Sequence, residues 1–271
     1  VSEIVLRVKR APALRVDMRG VLPQRLAALS PPEIERLTVW HGNERLALAE
    51  LFDLETRDAE GATLRLEGDL ARFDRIGAAL DGGRIEIAGS AGDYLGLQMR
   101  AGSIRVAGNA GMFAGSEMAG GELTIAGDAG DFAAAALPGS MEGMRGGRFV
   151  IAGNAGERLG DRMRRGWIAV HGDAGAFAGA RLVAGTIAIG GAVGMHPAFG
   201  MRRGTLLLAR AQPVLAPTFV ATAHDFSAFW RLLARELAAL GAPFGALAAR
   251  TPARWVGDLG VDGQGEVLLA A

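Results

Sequence analysis

The chain has 271 residues, with 29 basic and 29 acidic side chains that cancel, so a dedicated nucleic-acid binder, which would be basic, is disfavoured. Half the residues are hydrophobic, enough for a sizeable core; 41 glycines are about twice the usual share, yet with only 10 prolines and 21 % charged residues the chain is neither collagen-like nor disordered. The lack of cysteine excludes disulfides, thiolate metal sites, iron–sulfur clusters and cysteine nucleophiles.

No apolar run approaches the roughly 20 residues of a membrane span and no charged-then-apolar leader is present, so a soluble cytoplasmic protein is expected, without nucleic acid or membrane as partner. Lys9 is the only lysine, a bias that points to a GC-rich genome and not to a function.

Residues 1–76 read as a mixed segment. Ile4–Val8 and Leu37–Trp40 are strand-like, and Pro32–Leu37 is a short helix opened by proline. Leu64, Leu66, Gly68 and Phe73 resemble a degenerate copy of the unit repeated from residue 77 onward.

From 77 to 210 that unit of 13 residues recurs seven times, starting at 77, 96, 115, 141, 160, 179 and 198. Its form is small–x–x–Met/Leu–x–x–Gly–x–apolar–x–apolar–x–Gly. The starts lie 19 residues apart, except for 26 between the third and fourth, where seven extra residues around Ala134–Ser140 read as an extruded loop. Each unit holds a period-2 strand: Ile85/Ile87, Ile104/Val106, Leu123/Ile125, Phe149/Ile151, Ile168/Val170, Ile187/Ile189 and Leu206/Leu208. Strands this short cannot bury an apolar face alone, and stacking the copies joins those faces into one core. The expected fold is mainly β: a right-handed parallel β-helix of about seven 19-residue coils, roughly 30 Å long at ~4.8 Å per coil. The corner glycines, Gly108 and Gly172 among them, are expected at positive φ. The residues after the closing glycines (Ser90, Asn109, Asp128, Asn154, Asp173 and Ala192) are expected in left-handed or Asx turns.

Residues 211–271 read as a helix plus tail. Asp225 is the expected N-cap, Phe226, Phe229, Leu233, Leu237 and Leu240 trace one face, and Gly241 and Pro243 stop the helix. Arg254–Leu269 reads as two short strands around Gly263–Gln264–Gly265, and both flanks are expected to cap the open ends of the stack.

Gly108–Asn109–Ala110–Gly111 and its copies are turns rather than phosphate loops, since they recur, lead into no helix and contain no lysine. The aspartates offer too few oxygens for calcium. His41, His171, His196 and His224 are scattered without zinc-ligand spacing, and His196 occupies a column otherwise filled by Tyr94, Phe113, Phe132 and Phe177. No catalytic grouping and no metal set stands out. The distinctive polar feature is arginine: Arg100, Arg145, Arg164 and Arg202 share one repeat position, with Arg165 and Arg203 directly after. Arg145, Arg164, Arg165, Arg202 and Arg203 are the candidates for binding an anion, against the simpler expectation that Glu142 and Asp161 neutralise them. On the outward strand face Val150, Trp167 and Leu207 form an apolar stripe, to be covered by the helix Asp225–Leu240 or by another subunit.

Repeat units such as Gly96, Met99, Gly102, Ile104, Val106 and Gly108 resemble those of the C-subunit of formylmethanofuran dehydrogenase and of the β-helical C-terminal domain of glutamate synthase. His41–Gly42–Asn43–Glu44, Arg75–Ile76–Gly77 and Arg254–Trp255–Val256–Gly257–Asp258 favour the first. The resemblance implies a non-catalytic scaffold subunit of a one-carbon complex. In methylotrophic bacteria that is the formyltransferase/hydrolase complex, which moves a formyl group from formyl-tetrahydromethanopterin to a furan cofactor and releases formate. In archaea it is a tungsten or molybdenum formylmethanofuran dehydrogenase. The implied partners are an amidohydrolase-like subunit that holds the metals, a formyltransferase subunit and a further subunit. Because furan cofactors of the family can carry poly-glutamate, the five candidate arginines are placed against an anionic cofactor tail. The rival readings are a β-helical acyltransferase and a self-assembling β-helix scaffold.

Overall fold

The computed structural model describes residues 2–210 and 213–270; the expected start of the C-terminal part at residue 211 lies outside the described residues. In chain order the elements are β1 (Ser2–Val8), β2 (Val16–Asp17), α1 (Pro23–Ala27), α2 (Pro31–Arg36), β3 (Thr38–His41), β4 (Glu44–Ala47), α3 (Leu48–Leu51), β5 (Phe52–Asp58), β6 (Thr63–Glu67) and β7 (Phe73–Asp74). The repeat strands are β8 (Asp81–Ile87), β9 (Ala101–Val106), β10 (Glu122–Ile125), β11 (Arg145–Ile151), β12 (Arg165–Val170), β13 (Thr186–Ile189) and β14 (Thr205–Leu208). β15 (Val220–Thr222), α4 (Ser227–Ala238), β16 (Ala253–Gly257) and β17 (Gly265–Leu269) complete the chain.

The repeat strands build one large, mostly parallel sheet in the order β15-β16-β17-β14-β13-β12-β11-β10-β9-β8-β6-β1-β5. Register matches the sequence period: Ile85, Ile104, Leu123, Phe149, Ile168, Ile187 and Leu206 pair one after the next, and all are buried. Residues 70–193 add a second ladder of single parallel bridges through Leu70, Ala91, Ala110, Ala129, Ala155, Ala174 and Val193. Each repeat therefore bonds its neighbour along two lines. Both ends of the sheet close with antiparallel strands, β5 on β1 and β15 on β16 on β17, while β17 continues the parallel stack from β14. One apolar core runs from Ile4 to Val267, and the N-terminal part joins it through contacts such as Phe52 on Phe73, with ring centroids 5.2 Å apart.

Four local expectations are corrected. The fourth repeat starts at Ala134, not at Met141. Ala134 has φ 58° and accepts the Met144 N–H at 2.9 Å, as Gly96 accepts that of Met99, so the extra residues come after this corner instead of preceding it. Gly108 and Gly172 do not have positive φ; they are glycines because the next repeat lies too close. A Cβ on Gly108 would stand 2.5 Å from Ser90 Oγ and 2.8 Å from Ser90 N. The left-handed sites fall instead on the mid-repeat glycines and on the aromatic column, where Tyr94, Phe113, Phe132 and Phe177 all have φ 60°. The rings of Tyr94, Phe113 and Phe132 stack at 5.1 and 4.9 Å, close to the spacing of neighbouring strands. His196 tilts against Phe177 at 5.2 Å in the same column.

The residues after the closing glycines form a ladder rather than left-handed turns. Ser90 Oγ accepts the Asn109 N–H at 3.0 Å, Asn109 Oδ1 that of Asp128 at 2.8 Å, Asp128 Oδ1 that of Asn154 at 2.7 Å and Asn154 Oδ1 that of Asp173 at 2.8 Å. The side chain of one repeat thus satisfies the backbone of the next.

Helix α4 is shorter than Asp225–Leu240. Asp225 Oδ1 accepts the Ser227 N–H at 2.9 Å, Trp230, Leu233, Ala234 and Leu237 face inward, and Phe229 is 41 % exposed. The inward face covers Ala169, Ala188, Leu207 and Leu268 on the outer surface of the late strands, so Leu207 is fully buried within the chain itself.

Candidate functional site

The arginines cluster at one corner of the stack, where the peptide leaves the Met/Leu column and enters the strand. Arg164 and Arg202 line an open groove of about 600 Å³ together with Arg162 and Arg181. Arg162 and Arg181 each stand two residues after a corner glycine, and both take left-handed backbone, φ 59° and 52°. The loop after Ala134 supplies one wall through Met141, and the tail supplies the other through Thr218, Asp258, Gly260 and Val261. Val183 and Phe199 add apolar surface to the lining, and Phe199 is 54 % exposed.

The carboxylates neutralise this corner in part: Glu142 lies within ion-pair distance of Arg145 and Arg164, whereas Asp161 pairs with Arg181 instead of Arg164. Asp161 is buried and turned towards Arg181, whose Nε donates to Oδ1 at 2.9 Å, and towards Arg158 at 3.6 Å. Glu142 alone serves Arg145, at 3.9 Å, and Arg164, at 3.6 Å, too far for a good hydrogen bond. Arg164 Nε is buried without a hydrogen-bond partner. Arg162 donates to the Ser140 carbonyl at 2.9 Å, and among the described residues no carboxylate lies within 4.0 Å of Arg162, Arg165, Arg202 or Arg203. Arg165 and Arg203 are exposed and do not line the groove; Arg145 pairs in register with Arg165, not with its repeat equivalent Arg164. The five predicted arginines thus split into Arg164 and Arg202 inside and Arg145, Arg165 and Arg203 outside.

Arg162 and Arg181 were not singled out from the sequence. A signal existed, since they occupy the same position in adjacent copies. The walls made by Met141 and the tail carry no such signal.

Asp258 is the acidic lining residue. Its Oδ2 accepts the Gly200 N–H at 3.1 Å and its Oδ1 the Gly260 N–H at 3.0 Å, which ties the tail to the last repeat. Burial pushes its carboxyl up, but hydrogen bonds from Thr218, Gly260 and Gly200 outweigh burial and hold it below the ordinary 3.8. A carboxyl depressed by folding stabilises the native state above its unfolded value and loses that contribution as the pH falls through its folded value. The tail should therefore loosen as the pH drops below 3.8, and Asp258→Asn should flatten that acid limb while weakening the tail at pH 7. Hydrogen exchange at the Gly200 and Gly260 amides against pH measures both effects.

The other candidates are dispersed. Val150 is half-buried, Trp167 packs at the edge of the α4 cluster with Arg148 Cζ 4.9 Å from its ring centroid, and Leu207 lies beneath α4. His41 Nε2 accepts the Leu14 N–H at 3.0 Å, and His171 stands between the Ile151 and Leu240 carbonyl oxygens at 3.2 Å each. Among the described residues no group of three His, Asp or Glu is placed to hold a metal, and no helix is long and apolar enough to cross a membrane.

No sequence model of a protein family matches the chain. It is 36 % identical over 94 residues to the C-subunit of the molybdenum-containing formylmethanofuran dehydrogenase 1 of Methanosarcina barkeri, covering 34 % of this chain and 31 % of that protein. It is 44 % identical over 81 residues to the C-subunit of the formyltransferase/hydrolase complex of Methylorubrum extorquens, covering 30 % of each. These matches span about a third of the curated relatives. The crystal structure of the formyltransferase/hydrolase complex (FhcABCD) from Methylorubrum extorquens, solved with methylofuran, contains a chain that matches at 43 % identity and a TM-score of 0.91, over 98 % of this chain and 99 % of its own. This protein belongs to the C-subunit family shared by formylmethanofuran dehydrogenases and the formyltransferase/hydrolase complex.

Proposed function

We propose that the chain is the structural, non-catalytic subunit of a formyltransferase/hydrolase complex. The complex would transfer a formyl group from formyl-tetrahydromethanopterin to a furan cofactor and release formate, in one-carbon oxidation in the cytoplasm. The observation that carries this reading is the likeness along 98 % of the chain to a chain of the methylofuran-bound complex, which also favours the bacterial over the archaeal setting. The chemistry is assigned to sister subunits, a metal-holding amidohydrolase-like subunit and a formyltransferase, with one further subunit beside them.

In this role residues 77–210 act as a rigid right-handed parallel β-helix, with 1–76 and 211–271 as its caps. The paired ladders, the continuous core and the antiparallel closing strands support that assignment. The capped ends also speak against a self-assembling rod, because the edge strand β5 carries the exposed charges Asp53, Glu55, Arg57 and Asp58. The scattered histidines, each beside a ring or backbone partner at His41, His171 and His196, speak against an acyltransferase.

Within the complex the exposed Arg165 and Arg203, with Arg145 beside them, are assigned to attracting an anionic tail on the furan cofactor, while Arg164 and Arg202 face the groove and are not part of that assignment. Arg165→Gln with Arg203→Gln in the assembled complex should lower cofactor retention several-fold and reduce its sensitivity to salt. Unchanged, salt-insensitive retention would refute the assignment. For the role itself, a tagged chain purified from its native host should bring down the formyltransferase and amidohydrolase-like subunits, identified by mass spectrometry; recovery of the chain alone would refute it.

A further inference from the structure

We infer that the groove between the post-Ala134 loop and the tail receives an acidic, partly apolar peptide segment from a sister subunit. The inference rests on the reading of the chain as a subunit of a complex.

Charge is the first argument. Four guanidinium groups, those of Arg162, Arg164, Arg181 and Arg202, line one open trough; Asp161 already pairs with Arg181 and Glu142 stands 3.6 Å from Arg164, while the acidic group lining the trough, Asp258, is engaged by backbone N–H groups. Arg162 and Arg202 have no carboxylate within 4.0 Å among the described residues, and the buried Arg164 Nε has no hydrogen-bond partner. Guanidinium groups left in this state are satisfied by carboxylates brought from outside.

Shape and polarity are the second argument. Arg162, Arg181 and Gly200 occupy the same position in successive repeats, so the floor spans three repeats, on the order of 10 Å at the spacing of parallel strands. That is room for about three residues of extended chain. The rim is apolar and uncovered: Met141 is 66 %, Phe199 54 % and Val261 40 % exposed. Arginine beside exposed aromatic and methionine side chains is the composition of a protein interface rather than of an ordinary solvated face. The segment that fits carries Asp or Glu for the arginines next to an aliphatic or aromatic residue for the Phe199–Val261 rim.

The test uses the assembled complex. A photoreactive phenylalanine derivative at position 199 is irradiated and the products are mapped by mass spectrometry, and the association of purified sister subunits with wild-type and Arg162→Gln/Arg202→Gln chains is measured at two salt concentrations. The expected result is a crosslink to one sister-subunit segment holding Asp or Glu beside an apolar residue. The double variant should bind about tenfold more weakly at low salt and lose less affinity than wild type when salt is raised. Crosslinks that return only to this chain, reach the furan cofactor or reach a segment without acidic residues would overturn the inference, as would unchanged affinity. A wild-type chain that fails to join the sister subunits at all would overturn the subunit reading itself.

Discussion

Replacing Gly102 with valine should lower stability by about 3 kcal/mol or more, roughly 6–12 °C in melting temperature for a chain of this size. Gly102 has φ +82°, which a β-branched side chain adopts only under strain. A Cβ there would also meet the Gly83 carbonyl oxygen at 2.6 Å and the Gly82 carbonyl carbon at 2.7 Å, backbone atoms of the preceding repeat that cannot turn aside. Strain and clash act on the same residue, and relief would require moving a strand paired on both sides. Thermal melts of the full-length chain decide the matter. An unchanged melting temperature would mean that the repeats are not stacked at this distance.

Leu237→Ala should undock α4 while leaving the stacked strands in place. Leu237 is fully buried against a second apolar cluster that includes Leu207, Leu233, Phe244 and Leu268. Losing its side chain removes about 3 kcal/mol, transfer and cavity terms together. Helix α4 closes a separate cluster on the outer strand face, so it should open before the main core does. Trp230, whose Nε1 donates to the Arg250 carbonyl at 2.7 Å, reports the opening by a red-shifted fluorescence. The far-ultraviolet strand signal should persist. Loss of both signals in one transition would show that helix and stack unfold as a unit.

Repetition made the stack legible. Seven period-2 strands in register could be read because each copy reinforced the same apolar pairs, from Ile85 and Ile87 to Leu206 and Leu208. In the flanks the first strand, the helix at Pro32–Leu37, the strand at Leu37–Trp40, the C-terminal helix and the two tail strands were placed within a few residues, whereas α1, β4, α3, β5 and β15 were not read. Features that depend on what the next repeat presents were not readable. Gly108 and Gly102 look alike in the sequence, yet the first is fixed by a close neighbour alone and the second by its φ as well. The aromatic column hides left-handed backbone behind residues that ordinarily avoid it. Asp161 was within reach of Arg164 along the chain, but the structure turns it towards Arg181. The groove was half visible, because two of its four arginines belong to the column of Arg100 and its walls come from a loop and a tail distant in sequence.

The most direct test of the scaffold reading compares formyl transfer and hydrolysis by the purified chain, by the full complex, and by the sister subunits without this chain. The chain alone should be inactive, the full complex active, and the sister subunits should fail to assemble into an active complex without it. Turnover of a formyl substrate by the chain alone, abolished by His171→Ala or His196→Ala, would contradict the account.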